Sequence, residues 1–232
     1  LTALLYAERQ QLMPAKVIDP RWIDYGKKRN YVSFFLSDGD NVQWMMQDFA
    51  SRYYSVPEAG KVKMGYGLPV STLAMMAPAQ LGNLMSLQNP CCSVLEMLGG
   101  GYYYVDTYSQ NNNRRINLKI VAGRLAAYMR RHNVRLLGVM AMDVKSSAAK
   151  EAYQAYVDAN DQLEGIIALQ YSPYAGGEGD IFWFTNKAGY DIPVITVKYS
   201  IWDRTHEREG SPAFIASQLK DNVRDESFSA VC

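Results

Sequence analysis

The sequence predicts an α/β protein whose parallel strands curl into a (β/α) barrel-like sheet of about seven β-α units, distorted or incomplete at its end. Three observations carry the prediction. Short apolar runs of strand length alternate with segments of helical periodicity along most of the chain, the pattern of a parallel sheet covered by helices. The connections between them are short. Polar and aromatic residues gather after the strands and not before them, at Asp38 and Asp40, Ser71 and Thr72, Tyr102 to Asp106, Asp143, Tyr171, Trp202 and Asp203. In a barrel all those turns share one rim, and that rim is the active face.

Each element has its own signal. Leu4, Leu5, Ala7 and Leu12 predict a helix over 1–14, closed by Pro14. Residues 19–30 are polar and basic, an approach to the first strand, so 1–30 reads as a leading helix and approach and 31–232 as one barrel-like domain. Tyr31–Leu36 is the first strand. A polar turn and a helix over Val42–Tyr54 follow, with Val42, Met45, Met46 and Phe49 at helical spacing. Lys61–Leu68 is the second strand, and Pro78 opens a helix to about Leu87. Ser93–Leu98 is the third strand. Ile116–Arg131 is an amphipathic helix on which Ile120, Leu125 and Tyr128 recur on one face, with arginines opposite. Val134–Ala141, Gly165–Leu169, Ile181–Phe184 and Ile192–Val197 read as strands, Ala148–Ala159 and Pro212–Leu219 as helices. Ser227–Cys232 reads as the start of one more strand, cut short, and Leu1 stands where a Met is expected, so the chain looks like an excerpt.

Composition narrows the function classes. The chain has 232 residues, 48% hydrophobic and 20% charged, with a net charge of +1, which gives no bulk attraction to nucleic acid or anionic membrane. No apolar run reaches the length of a membrane span, and no signal peptide is visible. Three cysteines, two of them adjacent at Cys91 and Cys92, lack the Cys-x-x-Cys spacing of a zinc site and make no disulfide framework. Seventeen tyrosines and four tryptophans are the compositional excess. Such rings stack on the apolar faces of sugars, and they also fill cores.

Two stretches carry chemistry. The first is Ser37-Asp38-Gly39-Asp40-Asn41-Val42-Gln43-Trp44, directly after a strand. Asp38 and Asp40 are two apart, so in an extended turn both carboxylates face one side. Asn41, Gln43 and Trp44 add amide and ring contacts for a ligand. The plainer alternative is that Asp40 or Asn41 caps the helix and Asp38 is solvated. The second stretch is Gly99-Gly100-Gly101-Tyr102-Tyr103-Tyr104-Val105-Asp106. It is not a dinucleotide fingerprint, because the third Gly is missing and no helix opens after it. Gly99 and Gly101 let the backbone turn or approach a ligand closely, and the tyrosines offer rings and hydroxyls. The alternative is a glycine bulge in an aromatic core strand.

Gly99-x-Gly101-Tyr102-x-Tyr104, together with Phe35-Leu36-Ser37-Asp38-Gly39-Asp40-Asn41-Val42-Gln43-Trp44, resembles the glycoside hydrolase family named for its GxGYxYP motif. The sequence departs from that motif at Val105, where the pattern has Pro. The resemblance implies a carbohydrate-active protein acting on an oligo- or polysaccharide, secreted or envelope-bound in gut-type bacteria, and so extracytoplasmic. Glycoside cleavage needs two carboxylates. Asp38 or Asp40 is the expected first partner and Asp143 the second, with Asp143 also suited to capping the helix after it. Asp106, Tyr171, Lys198, Trp202 and Asp203 are the remaining candidates for the sugar site, Lys198 being equally readable as a solvated charge. Glu178 and Asp180 also follow a predicted strand. A sugar-binding module with the same rim and no working acid pair is the second reading. A metal-dependent esterase or deacetylase is the third. Asp38, Asp40 and Asn41 supply oxygen ligands suited to calcium or magnesium, but Phe49 stands where an EF-hand needs Glu. His132 and His206 are the only histidines, so no histidine-bound metal is expected; no cofactor is expected other than a divalent cation that Asp38 and Asp40 could hold.

Overall fold

A computed structural model describes residues 24, 26, 30–37, 39–88, 92–202, 210–221 and 228–232. The helix expected over 1–14 and most of the approach segment lie outside the described residues.

Eight strands form one sheet: β1 (Tyr31–Leu36), β2 (Met64–Leu68), β3 (Ser93–Met97), β4 (Leu136–Ala141), β5 (Gly165–Gln170), β6 (Ile181–Thr185), β7 (Asp191–Thr196) and β8 (Phe228–Val231). Their order is β6-β7-β5-β4-β3-β2-β1-β8. Every pairing is parallel except β6 with β7. The helices among the described residues are α1 (Val42–Met45), a π-helical turn (Ala50–Tyr54), α2 (Val70–Met76), α3 (Pro78–Leu87), α4 (Arg114–Arg131), α5 (Ser147–Ala159) and α6 (Pro212–Asp221). The terminal stretch read as an unfinished strand completes the sheet, with β8 lying beside β1 from Tyr31↔Phe228 to Phe34↔Val231.

The winding is that of a barrel, yet the sheet stays a curled half-barrel and does not close into a regular one. The reason lies in the β6–β7 hairpin. Only residues 186–190 separate the two strands, too few for a crossover helix, so they pair antiparallel. The Asn186 side-chain oxygen accepts from Ala188 N and Tyr190 N, both at 2.9 Å, and Gly189 supplies the positive φ. β6 therefore occupies the edge of β7 that a closed barrel would pair with β8. On that side of the sheet it is residues past β7 that reach β8 and the residue after it, through the bridge between Tyr199 and Val231 and bonds such as Lys198 N to Ala230 O and Cys232 N to Tyr199 O, both at 2.9 Å.

Two apolar layers follow from strand alternation. Outward side chains of the sheet pack under the helices with Leu81, Leu84, Leu118, Leu125, Met129, Tyr153 and Val157. Inward ones fill the concave side: Phe35, Leu95, Met97, Met140, Ile167, Leu169 and Ala230, joined by Val197. The interior is thus packed, as in small barrels.

Three expectations are corrected. The helix predicted over Val42–Tyr54 is broken into α1, a turn and the π-helical turn. The second strand starts at Met64, and the stretch after it, read as a polar strand end, forms α2. On α4 the buried face is Leu118, Val121, Leu125 and Met129, while Ile120 is 56% exposed. Alanines 122 and 126 fill that same face, and an aliphatic-only period overlooks them.

Candidate functional site

The glycine–tyrosine stretch leaves β3 at the carboxyl end of the sheet. A Cβ on Gly99 would lie 1.8 Å from Glu96 Oε1 and 2.3 Å from Ser71 Oγ, so a larger residue would displace the buried Glu96–Ser71 pair. Gly101 has open space beside it and a φ of +111°, which L side chains rarely adopt. Both glycines are therefore required, for different reasons. Beyond them the tyrosines diverge. The Tyr103 ring turns to the helices and its hydroxyl meets that of Tyr156 at 2.7 Å. Tyr102 and Tyr104 turn the other way, with ring centroids 5.7 Å apart. Tyr104 continues to Tyr171 at 5.2 Å, and Tyr171 to Tyr174 at 5.8 Å. Desolvation holds the hydroxyls of Tyr102 and Tyr174 above the ordinary phenol range, and the charge of Asp40 adds to the rise at Tyr174. Residues following β3 and β5 thus converge, Tyr102 and Tyr104 with Tyr171 and Tyr174, and the charge of Asp40 after β1 reaches Tyr174.

Buried polar groups fasten this rim. Glu96, fully buried on β3, accepts from Ser71 N at 2.9 Å and Ser71 Oγ at 3.2 Å, and also from the backbone of Gly99. Those donors favour the carboxylate, but burial outweighs them and pushes the group from 4.5 up to about 8. The Thr72 hydroxyl donates to Gly99 O. Asp106, 7% exposed, accepts from Met142 N (3.0 Å) and Thr107 N (3.1 Å) on one oxygen and from Asp143 N (2.9 Å) on the other. The Arg114 guanidinium donates to the carbonyls of Tyr108, Val105 and Ala148, and pairs with Glu151 at 2.9 Å. Val105, where the motif has Pro, is buried and its N–H donates to Met140 O at 2.8 Å, a bond a proline would lack.

The other expected site residues fall into groups. Asp143 is exposed, and its Oδ1 accepts from Lys145 N at 2.8 Å; the cap of α5 is Ser146, whose Oγ accepts from Ala149 N at 3.1 Å. Lys145 lies between Glu178 (2.9 Å) and Asp180 (2.8 Å), and both carboxylates hold its ammonium above its ordinary range. The Lys198 ammonium stands 5.6 Å from the Tyr199 ring centre. Asn41 makes no side-chain cap on α1, and Gln43 is exposed. Trp44 packs edge-on against Phe49 (5.9 Å) and Tyr53 (5.2 Å) in the helix-side core, apart from the tyrosine rim. Trp202, 53% exposed, lines an apolar recess of about 300 Å³ with Phe34, Ile215 and Leu219. Asp38 and Asp203 lie outside the described residues. Among the described residues no group of three His, Cys, Asp or Glu side chains is placed to hold a metal ion, and no helix is long and apolar enough to cross a membrane.

Three contributors were not expected. Glu96 had a signal, since an acid inside an apolar strand is a buried charge needing partners. Tyr174 lay in plain view after β5. Arg114 had none, because its acceptors come from the loop at Val105 and Tyr108 and from the distant α5 at Ala148 and Glu151. A groove of about 750 Å³ between α4 and α5, lined by Arg115, Lys119, Glu151 and Asp158, is roomier than the recess at Trp202. Its charges are ordinary for a solvated helix pair. The rim is the better candidate, because side chains from separate strand ends converge there.

Comparison with solved structures finds a chain described as "a putative hydrolase from Bacteroides thetaiotaomicron", with a TM-score of 0.70 at 19% sequence identity. The match covers 96% of this chain and 41% of that one, so the fold is shared and this chain spans under half of that protein's length. Comparison with curated proteins finds no match. The family model described as "GxGYxYP putative glycoside hydrolase C-terminal domain" matches residues 28–229, and the chain belongs to that family.

Proposed function

We propose that this chain is the catalytic domain of a glycoside hydrolase and that its sugar site is the tyrosine rim. The observation that carries the reading is the convergence of Tyr102, Tyr104, Tyr171 and Tyr174, from two separate loops, at the carboxyl end of a parallel sheet. Ring faces stack on the apolar face of a pyranose, and neutral phenols donate to and accept from its hydroxyls. Asp40, with Asp38 beside it in sequence, supplies one carboxylate and Asp143 the other. One protonates the leaving oxygen while its partner activates water or attacks the anomeric carbon. Asp106 is excluded from that pair, because three backbone N–H groups already occupy both its oxygens.

Release of reducing ends from a panel of glycans tests the reading. Wild type should release them, and Asp40→Asn should lose on the order of a hundredfold in rate with an unchanged unfolding midpoint. Full activity in both Asp40→Asn and Asp143→Asn would remove these residues from the chemistry. The second reading, a sugar-binding module, is favoured by how many rim carboxylates are already engaged: Asp106 by backbone, Glu178 and Asp180 by Lys145. It predicts glycan binding with no release of reducing ends.

A further inference from the structure

The two edges of the sheet differ. Beyond β8, the residues after β7 already supply bonds, among them Lys198 N to Ala230 O and Ile201 N to Cys232 O, both at 2.9 Å. Beyond β6, no further strand stands among the described residues. The hairpin's own ladder fixes which backbone groups of β6 face outward. Asn186 N donates to Tyr190 O at 2.8 Å, and Thr196 N donates to Asp180 O at 2.9 Å. With β6 and β7 in register from Ile181↔Ile195 to Thr185↔Asp191, antiparallel alternation makes Phe182 with Val194 and Phe184 with Ile192 the hydrogen-bonded pairs. Pro193, which has no N–H to give, falls opposite Trp183 in a non-bonded pair, as that phase requires. Ile181, Trp183 and Thr185 therefore aim their N–H and C=O groups away from β7. Among the described residues a single bond reaches those groups, from Gln154 Nε2 to Thr185 O at 3.1 Å. The strand carries no charge, proline or bulge, the devices that protect an edge. Phe182 and Phe184 pack toward the helix-side core, while Trp183 on the opposite face is 64% exposed.

We infer that β6 pairs with β6 of a second copy of this chain, antiparallel and centred on Trp183, so that two sheets join into one. The strand is complementary to itself. With outward groups at 181, 183 and 185, the register that sets Trp183 against its own equivalent lets all three residues pair at once, each Ile181 facing a Thr185. A register shifted by two leaves one of the three unpaired. The same alignment sets Phe182 against Phe184 on the helix side, apolar against apolar. Charge agrees with it. Lys145 offsets only one of Glu178 and Asp180, so the end leading into β6 stays negative, and Lys187 after the strand is positive. Antiparallel pairing brings the acidic end of one strand to the basic end of the other. The contact is small. Two strands of five residues bury less than the roughly 1,200 Å² of a standard interface, so a dissociation constant of about 1–100 μM is expected.

The test is sedimentation of the 232-residue chain over a concentration series spanning that range, joined to amide exchange at its two ends. The mass should rise from 26.1 kDa toward twice that value. Trp183→Lys sets two lysines face to face at the two-fold axis and removes an aromatic pair, which should weaken association at least about tenfold. Its unfolding midpoint should stay unchanged, because the side chain is mostly exposed. The N–H groups of Ile181, Trp183 and Thr185 should exchange more slowly at high concentration than at low, while those of Phe182 and Phe184, bonded within the hairpin, should not change. Should Trp183→Lys lower the midpoint, this alternation in exchange decides alone. A chain that stays at 26.1 kDa throughout overturns the inference. So does a dimer that a folded Trp183→Lys leaves intact, or one in which Ile181, Trp183 and Thr185 exchange equally fast at both concentrations, since either result assigns the contact to another surface.

Discussion

The turn after β1 and the loop after β3 hold the same kinds of residue, yet they are built differently. Both follow a parallel strand, both contain glycine, acid and aromatic side chains, and both were singled out from sequence. The β3 loop is held from beneath by Glu96, from the α4 side by Arg114 and across to β4 by Asp106, each with at least one bond to a backbone group far away in sequence: Ser71, Ala148, and Met142 with Asp143. The β1 turn runs into a helix of only four residues with no side-chain cap, and its tryptophan leaves the rim for the helix-side core. A loop presents its rings in fixed positions when buried polar groups satisfy its backbone. Residue type alone does not achieve this.

Removing a fastener should therefore hurt the β3 loop far more than an equivalent change in the β1 turn. Arg114→Ala has the largest expected effect. It strands the carbonyls of Val105, Tyr108 and Ala148 and leaves Glu151 unpaired, a loss of about 3 kcal/mol in unfolding free energy measured with denaturant. A loss below about 1 kcal/mol would show that water replaces the guanidinium. Asp106→Asn comes next. An amide keeps one acceptor oxygen and turns a donor toward a backbone N–H, which should cost about 2 kcal/mol and loosen the end of β4, read as faster amide exchange at Met142 and Asp143.

Glu96 gives a pH-dependent comparison. Its folded value is raised from 4.5 to about 8, so the folded state binds a proton that the unfolded state releases. Its contribution is fully present below pH 4.5 and is lost as pH climbs through 8, with a slope of at most about 1.4 kcal/mol per pH unit. Unfolding midpoints of wild type and Glu96→Gln between pH 4.5 and 8 should diverge in slope, the variant being flatter; parallel curves would refute the assignment. The smallest effect is expected in the β1 turn. Asn41→Ala removes no cap bond and should change stability by less than about 0.5 kcal/mol, against about 1 kcal/mol for a working cap.

Much of this architecture was legible in the sequence. Tyr31–Leu36 and Pro78–Leu87 form over the predicted residues, because an apolar run between polar turns and a proline at the first helical position act locally. The need for Gly99 and Gly101 was legible too, although one is required by Glu96 beneath it and the other by its own backbone angle. Other features were decided by tertiary contact. The sheet stays open because β6 takes the free edge of β7, a matter of pairing that no local period records. Trp44 goes to the core because Phe49 and Tyr53 wait there.

By itself, then, the sequence determined the alternation of strands and helices, the end of the sheet at which polar and aromatic residues collect, and the family, all of which depend on short-range periodicity and on motif identity. Tertiary structure alone decided which tyrosines meet, which carboxylates are already engaged and which arginine ties three segments together. Those depend on distances between residues far apart in the chain, such as Arg114 to Ala148 and Asp106 to Asp143, and in a folded chain such distances are fixed by packing and by the demand that every buried polar group find a partner.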